Sequence, residues 1–129
     1  MTMIELRRGD VVLVAFPFIA QRQVQRKRRP ALVVQADRYN RRRAAVIIAA
    51  ITSARAHEPL PCKLPVAKDS PEGREAGLRL DSVVDCQTLA PVPRDHILRR
   101  LGRFLPELMP KINQALEDAL GLPTPTTPS

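Results

Sequence analysis

Arg29 stands directly before Pro30, closing the basic run Arg26-Lys27-Arg28-Arg29 and opening the apolar β-type run Ala31-Leu32-Val33-Val34. A guanidinium fixed at the mouth of a strand can hold a phosphate through paired, directed N–H donors. Pro30 strengthens this reading, because a residue before proline is biased away from helical and toward extended backbone. Further along, the apolar run Ala45 to Ile51 ends in Thr52-Ser53, so two hydroxyls also sit at a strand end. These residues suggest a polyanion site on a small β scaffold. The plainer alternatives are a rim arginine paired with an acid and a β-branched threonine satisfied by backbone.

The charge agrees with a polyanionic partner. The chain has 129 residues and a formal net charge of +8, enough for one core but not two, and nucleic acid is the expected partner of such a basic protein. Arg22, Arg26, Lys27, Arg28 and Arg29 lie together with no acid among them, and Arg38, Arg41, Arg42 and Arg43 follow the next strand. With no Trp, one Tyr and three Phe, a platform that stacks successive bases is disfavoured, so phosphates and polar base contacts should dominate. Cys62 and Cys86 lack the spacing of a zinc site or a CxxC redox motif. No metal or cofactor is expected, and a disulfide between the two is left open. No leader-type segment precedes Met1-Thr2-Met3-Ile4 and no apolar run approaches membrane-spanning length. The expectation is a reduced cytoplasmic protein with no membrane association.

The elements that must position these residues read mostly as strands. Val11 to Phe16 is a first strand closed by Pro17, and Pro17 to Arg29 a long polar connection. Pro30 to Gln35 gives a second strand, Asp37 to Arg43 a turn or short helical turn capped by Asp37, and Ala44 to Thr52 a central strand buried on both faces, its alanines keeping helix as a second choice. Leu60 to Val66 alternates but carries two prolines, which confines it to an edge. Asp69 to Gly77 reads as a loop, Leu80 to Leu89 as another strand, and Ile97 to Phe104 as a short last strand broken by Gly102. Leu105, Leu108, Met109, Ile112, Leu116, Ala119 and Leu120 then recur at helical spacing, with Gly121 as the stop. The fold expected is mainly β, a small antiparallel barrel or twisted sheet with one C-terminal helix, spanning 1–122; 123–129 is a Pro/Thr-rich tail expected to be disordered.

In order, Arg8-Gly9-Asp10-Val11-Val12-Leu13-Val14, Arg29-Pro30-Ala31-Leu32-Val33-Val34, Ile47-Ile48-Ala49-Ala50-Ile51-Thr52-Ser53, Gly77-Leu78 with Asp81-Ser82-Val83-Val84, and Gln87-Thr88-Leu89 resemble the MazF/PemK family of toxins from type II toxin–antitoxin modules. The likeness covers about residues 5 to 122 and includes Ile112-Asn113-Gln114-Ala115-Leu116 and Leu120-Gly121-Leu122. It implies the PemK/CcdB type of barrel, related to Src-homology-3-like barrels, and a homodimer. The implied activity is that of a ribosome-independent, metal-independent endoribonuclease cutting single-stranded RNA at a short sequence. It also implies a cognate antitoxin whose disordered acidic tail fills the RNA groove. Arg29 matches the family's catalytic Arg and Thr52 its catalytic Thr or Ser; Ser53 and Gln87 match positions near the groove. The family usually has an acid directly before this Gln, whereas here Cys86 holds the place and Asp85 precedes it.

Metal-free RNA cleavage requires the 2′-OH to attack the adjacent phosphorus, leaving a 2′,3′-cyclic phosphate and a 5′-OH. A fixed guanidinium and a neighbouring hydroxyl would stabilise the charge that develops. His57 and His96 fall outside the matched motifs and read as surface residues. Arg26, Lys27 and Arg28 are expected to hold RNA phosphates from a lid-like loop. Two other readings stand beside this one: a CcdB-like gyrase poison, against which the Thr/Pro/Ser terminus speaks, and an RNA-binding relative with little cleavage.

Overall fold

The computed structural model describes residues 4–20, 23–54 and 58–123, and for 16–20 and 23–26 the backbone alone. Its elements are β1 (Asp10–Ala20), β2 (Gln23–Val33), α1 (Asp37–Asn40), β3 (Ala45–Ser53), β4 (Lys63–Val66), α2 (Pro71–Glu75), β5 (Ser82–Pro93), β6 (Ile97–Arg103) and α3 (Met109–Leu120). The strands form one antiparallel sheet in the order β4-β5-β3-β2-β1-β6, with β4 and β6 as its edges. The mainly β fold with a C-terminal helix is as expected. No helix among the described residues is long and apolar enough to cross a membrane. His57 and the tail beyond Pro123 lie outside the described residues.

The sheet is covered on both faces because its strands alternate two sets of apolar side chains. On one face Val11, Leu32, Ala49, Ile51, Val84 and Cys86 pack under Leu108, Ile112 and Ala115 at the start and middle of α3. On the other, Val12, Val14, Ala31, Val33, Val46 and Ile48 pack under Leu6 of the N-terminal segment. In β3 the two cores are offset. Val46 and Ile48 serve the second face, Ala49 and Ile51 the first, while Ile47 is 42% exposed and Thr52 and Ser53 are exposed. The strand is therefore buried on both faces only through its middle.

The expectation for Pro17 to Arg29 is overturned. Residues 17–20 and 23–29 are not a connection but continue β1 and β2, paired in register from Val11↔Leu32 to Ala20↔Gln23, while 21 and 22 lie outside the described residues. The polar Gln/Arg/Lys sequence of 23–29 hid the strand, which is set by its backbone ladder to β1. Beyond Val14, β1 has only β2 as a neighbour, so Pro17 lies where proline is tolerated. A second correction is α2, inside the stretch read as a loop. Ser70 Oγ accepts from the Gly73 N–H at 3.0 Å, and Pro71 stands in the first turn, an N-terminal arrangement that starts a helix without losing a hydrogen bond. Asp37 also departs from its expected role. It is the first residue of α1 rather than its cap, and its carboxylate accepts from the Arg8 N–H at 2.6 Å and the Asn40 Nδ2 at 3.2 Å. The Arg8 bond above all holds its pKa below the usual carboxylate range.

Pro110 stands in the first turn of α3, and Gly121 closes the helix at φ 67°, with the Leu122 N–H donating to Glu117 O at 3.0 Å. This left-handed stop pairs carbonyls that would otherwise be orphaned. β6 runs on through Gly102, although its register against β1 shifts between Arg100 and Gly102. The role of this glycine is close approach, since a Cβ there would fall 2.1 Å from Glu75 O and 2.6 Å from the Ala76 carbonyl carbon. Gly102→Ala is expected to destabilise the fold by about 1–3 kcal/mol through this backbone clash. Gly121→Ala meets nothing within 4 Å and should lose only the left-handed penalty, about 1 kcal/mol. Urea midpoints of the two variants check the order; a smaller loss at Gly102 contradicts the packing.

Candidate functional site

The β2–β3 ladder pairs Ala31↔Ala50, Leu32↔Ala49 and Val33↔Ile48. Two residues beyond Ala31 along β2 is Arg29, and two beyond Ala50 along β3 is Thr52. The same pleat that buries Ala31 and Val33 with Ile48 therefore carries Arg29 and Thr52 onto that face past the end of its core. A pocket of about 320 Å³ opens there, lined by Lys27, Arg29, Pro30, Ala50, Thr52 and Thr88, with Ile51 beside them. Arg29 and Thr52, separated by a loop and a helix in sequence, share one cavity.

Thr88 is the lining residue that sequence reasoning missed. The β3–β5 ladder runs Ala49↔Leu89 and then Ala50↔Asp85, so Cys86, Gln87 and Thr88 are left out of it as a bulge. Bulges re-aim side chains beside functional sites. Asp85 holds this one, because its Oδ1 accepts from the Gln87 N–H and its Oδ2 from the Thr88 hydroxyl, each at 3.0 Å. The Thr88 proton is thereby directed to Asp85, which leaves the Thr88 oxygen lone pairs available as acceptors. Gln87 is exposed on the same bulge.

The remaining candidates separate by pleat. Lys27 shares the face of Arg29 and lines the pocket, whereas Arg28 alternates to the opposite face, beside Ala15. Ser53 likewise alternates away from Thr52, next to Ser82. The side chain of Arg26 is outside the described residues, as is His57. His96 is half-buried in a single 3₁₀ turn between β5 and β6 and does not line this pocket. Among the described residues no three His, Cys, Asp or Glu side chains converge as a metal cluster.

Cys86 points into the core, fully buried, with its N–H donating to Cys62 O at 3.0 Å. Both thiols are free. Asp85, paired with Ala50 in the ladder, reaches the pocket only through Thr88, whose hydroxyl donates to it.

A family model described as PemK-like, MazF-like toxin of type II toxin-antitoxin system matches residues 7–120. The chain belongs to that family. An endoribonuclease from a mycobacterial species superposes with a TM-score of 0.72 at 26% identity, covering 97% of this chain and 100% of that one. An endoribonuclease in complex with its cognate antitoxin, also mycobacterial, gives 0.70 at 26% identity, covering 93% and 99%. The Mycobacterium tuberculosis toxin MazF-mt6 shares the fold, with a TM-score of 0.69 at 22% identity over 89% and 99% of the two chains.

Burial above all, then the neighbouring Cys62 and Asp85, pushes the Cys86 thiol up from its ordinary 9.0 to about 11. The folded chain therefore holds this proton more tightly than the unfolded one. Its contribution is complete below pH 9 and is lost as pH rises toward 11, on the order of 2 kcal/mol. Urea denaturation between pH 8 and 11 should show this loss, and Cys86→Ala should lack it. Identical alkaline profiles would contradict it.

Proposed function

We propose that this toxin is a ribosome-independent, metal-independent endoribonuclease that cuts single-stranded RNA at the Arg29–Thr52 pocket. The observation that carries the reading is the convergence of these two residues, matched to the family motif, on one cavity beside Lys27 and Thr88. The family assignment and the mycobacterial endoribonucleases favour it over a gyrase poison.

The scissile phosphate sits against Arg29, whose guanidinium donates to the non-bridging oxygens, and the Thr52 hydroxyl adds a hydrogen bond as charge develops there. The 2′-oxygen attacks phosphorus and the 5′-oxygen departs. A 2′,3′-cyclic phosphate forms, the 2′-OH proton passes to water, and the leaving oxygen takes one from water. No His, Asp or Glu is among the described residues lining the pocket, so rate comes from charge stabilisation and in-line positioning more than from proton transfer. Thr88, its proton held by Asp85, offers an acceptor to a base or ribose donor beside the cut. Lys27 adds a phosphate contact, and Gln87 on the bulge a polar base contact. Arg28 and Ser53 alternate to the face opposite Arg29 and Thr52 and stand outside the reacting centre. The working form is a cytoplasmic homodimer, neutralised by an antitoxin whose acidic disordered tail competes for the same cations.

Purified protein is incubated with a long unstructured RNA in EDTA, beside Arg29→Ala, and fragment ends are mapped. Discrete cuts with cyclic-phosphate and 5′-OH ends are expected, falling about a hundredfold to a thousandfold in the variant. RNA left intact across many sequences overturns the reading. Asp85→Ala frees the Gln87 N–H and the Thr88 hydroxyl and should lower cleavage about tenfold, the worth of one to two hydrogen bonds. Unchanged single-turnover rates would remove Asp85 from the site.

A further inference from the structure

The two cysteines of the chain, Cys62 and Cys86, are set against each other by the fold. β4 joins β5 with Lys63 opposite Asp85, so the next cross-strand position outward is Cys62 opposite Cys86, where the Cys86 N–H donates to Cys62 O at 3.0 Å. Directly opposed residues of an antiparallel pair point to the same face. Both thiols accordingly lie in the core beneath α3, 2% and 0% exposed. Opposed Cβ atoms stand about 4.5–5.5 Å apart, against about 3.8 Å in a disulfide. The cleavage chemistry described above uses neither thiol.

Their place connects them to the pocket on one side and to solvent on the other. Cys86 opens the β5 bulge, and Thr88, two residues on, lines the Arg29–Thr52 pocket. Cys62 directly precedes β4, an edge strand of four residues that pairs with β5 alone among the described strands. A short edge strand opens locally more readily than a central one. Pro61, next to Cys62 in the chain, lines a surface cavity of about 480 Å³ together with Glu117, Asp118 and Leu122 at the end of α3. A small oxidant in that cavity is one residue away from Cys62. Cys86, whose thiol holds its proton up to about 11, is a poor nucleophile at neutral pH, because the thiolate is the attacking species. Cys62 is therefore the thiol that reacts first.

We propose that Cys62 and Cys86 form a reversible disulfide that acts as a redox switch on the pocket, set by a peroxide and reset by a small thiol. Cys62 gives up its proton to solvent and its sulfur attacks one oxygen of hydrogen peroxide. The O–O bond breaks, the departing hydroxide takes up a proton, and a sulfenic acid and one water result. Cys86 Sγ then attacks Cys62 Sγ, the S–O bond breaks, and the Cys86 proton leaves with the hydroxyl as a second water. Two thiols are oxidised by two electrons in all, and one peroxide is reduced to two waters. Drawing the Cβ atoms together shifts the root of the bulge by about 1 Å and carries Thr88 out of line with Arg29 and Thr52. In a compartment that keeps thiols reduced such a bond is transient, which suits a switch. The effect on cleavage rests on the endoribonuclease reading, whereas the crosslink and the shift of the bulge do not.

The test treats the full chain with hydrogen peroxide in native buffer, then unfolds it in an alkylating reagent and reads the intact mass. A crosslink within one chain is expected, with neither thiol alkylated. Single-turnover RNA cleavage should fall about tenfold to a hundredfold, the cost of a misplaced wall residue, and dithiothreitol should restore it. Cys62→Ala and Cys86→Ala, each treated in the same way, should keep the rate they have before peroxide. Hydrogen exchange at the Gln87 and Thr88 amides should change on oxidation of the unsubstituted chain and in neither variant. Two alkylated thiols, a crosslink between chains only, or a sulfinic acid on one cysteine overturns the proposal. So does a crosslink that leaves both cleavage and the Gln87 and Thr88 amides unchanged, which would make the bond a staple rather than a switch. If the reduced chain cuts no RNA, the nuclease reading fails and the amides alone decide: a change on oxidation upholds the switch, and no change overturns it.

Discussion

The site depends on the register of two strands. Ala31 opposite Ala50 is specified by burial, because a slip of one residue would carry the side chains of the slipped strand to the wrong face and take Ala31 and Val33, or Val46 and Ile48, out of the core they fill. Arg29 and Thr52 add little to that choice. They inherit it, standing one pleat repeat beyond the last buried pair. Two residues with no hold on each other are thus brought together by the hydrophobic requirement of their neighbours.

The cavity exists because the two cores are offset along β3. Where the core shared with β1 and β2 stops, the one beneath α3 continues through Ile51, so the strand stays anchored on one face while the other opens. A rigid floor with an open upper face is what a charged, preorganised site requires. The β5 bulge completes the wall by turning Thr88 into the opening, and Asp85 holds the bulge with both carboxylate oxygens.

Much of this was legible in the chain. The apolar runs 31–34 and 45–51 and the stripe from Leu108 to Leu120 declare their elements through burial, and Thr52 follows from its place near the end of β3, whereas Arg29, expected at the mouth of a strand, stands within β2. The first half of β2 was hidden because 23–29 are mostly polar while their backbone is paired, a pairing that depends on a partner strand. The α2 turn left a usable signal in Ser70-Pro71, overshadowed by Gly73 and the charges around it. Thr88 was out of reach, since a bulge is a relation between two strands and nothing in Asp85-Cys86-Gln87-Thr88 alone announces one. The pleat likewise divides Lys27 from Arg28, which adjacency in the sequence had grouped.

The free edges of the sheet bear on what the molecule avoids. An unpaired edge is a template for adding another strand, and open sheets aggregate through such edges. At one end β4 is only four residues long and carries Pro65, which shortens the template and removes a donor. At the other, β6 presents Arg99, Arg100 and Arg103, so a second copy pairing antiparallel along that edge would bring like charges together. A row of like charges along that edge therefore opposes growth of the sheet by strand addition.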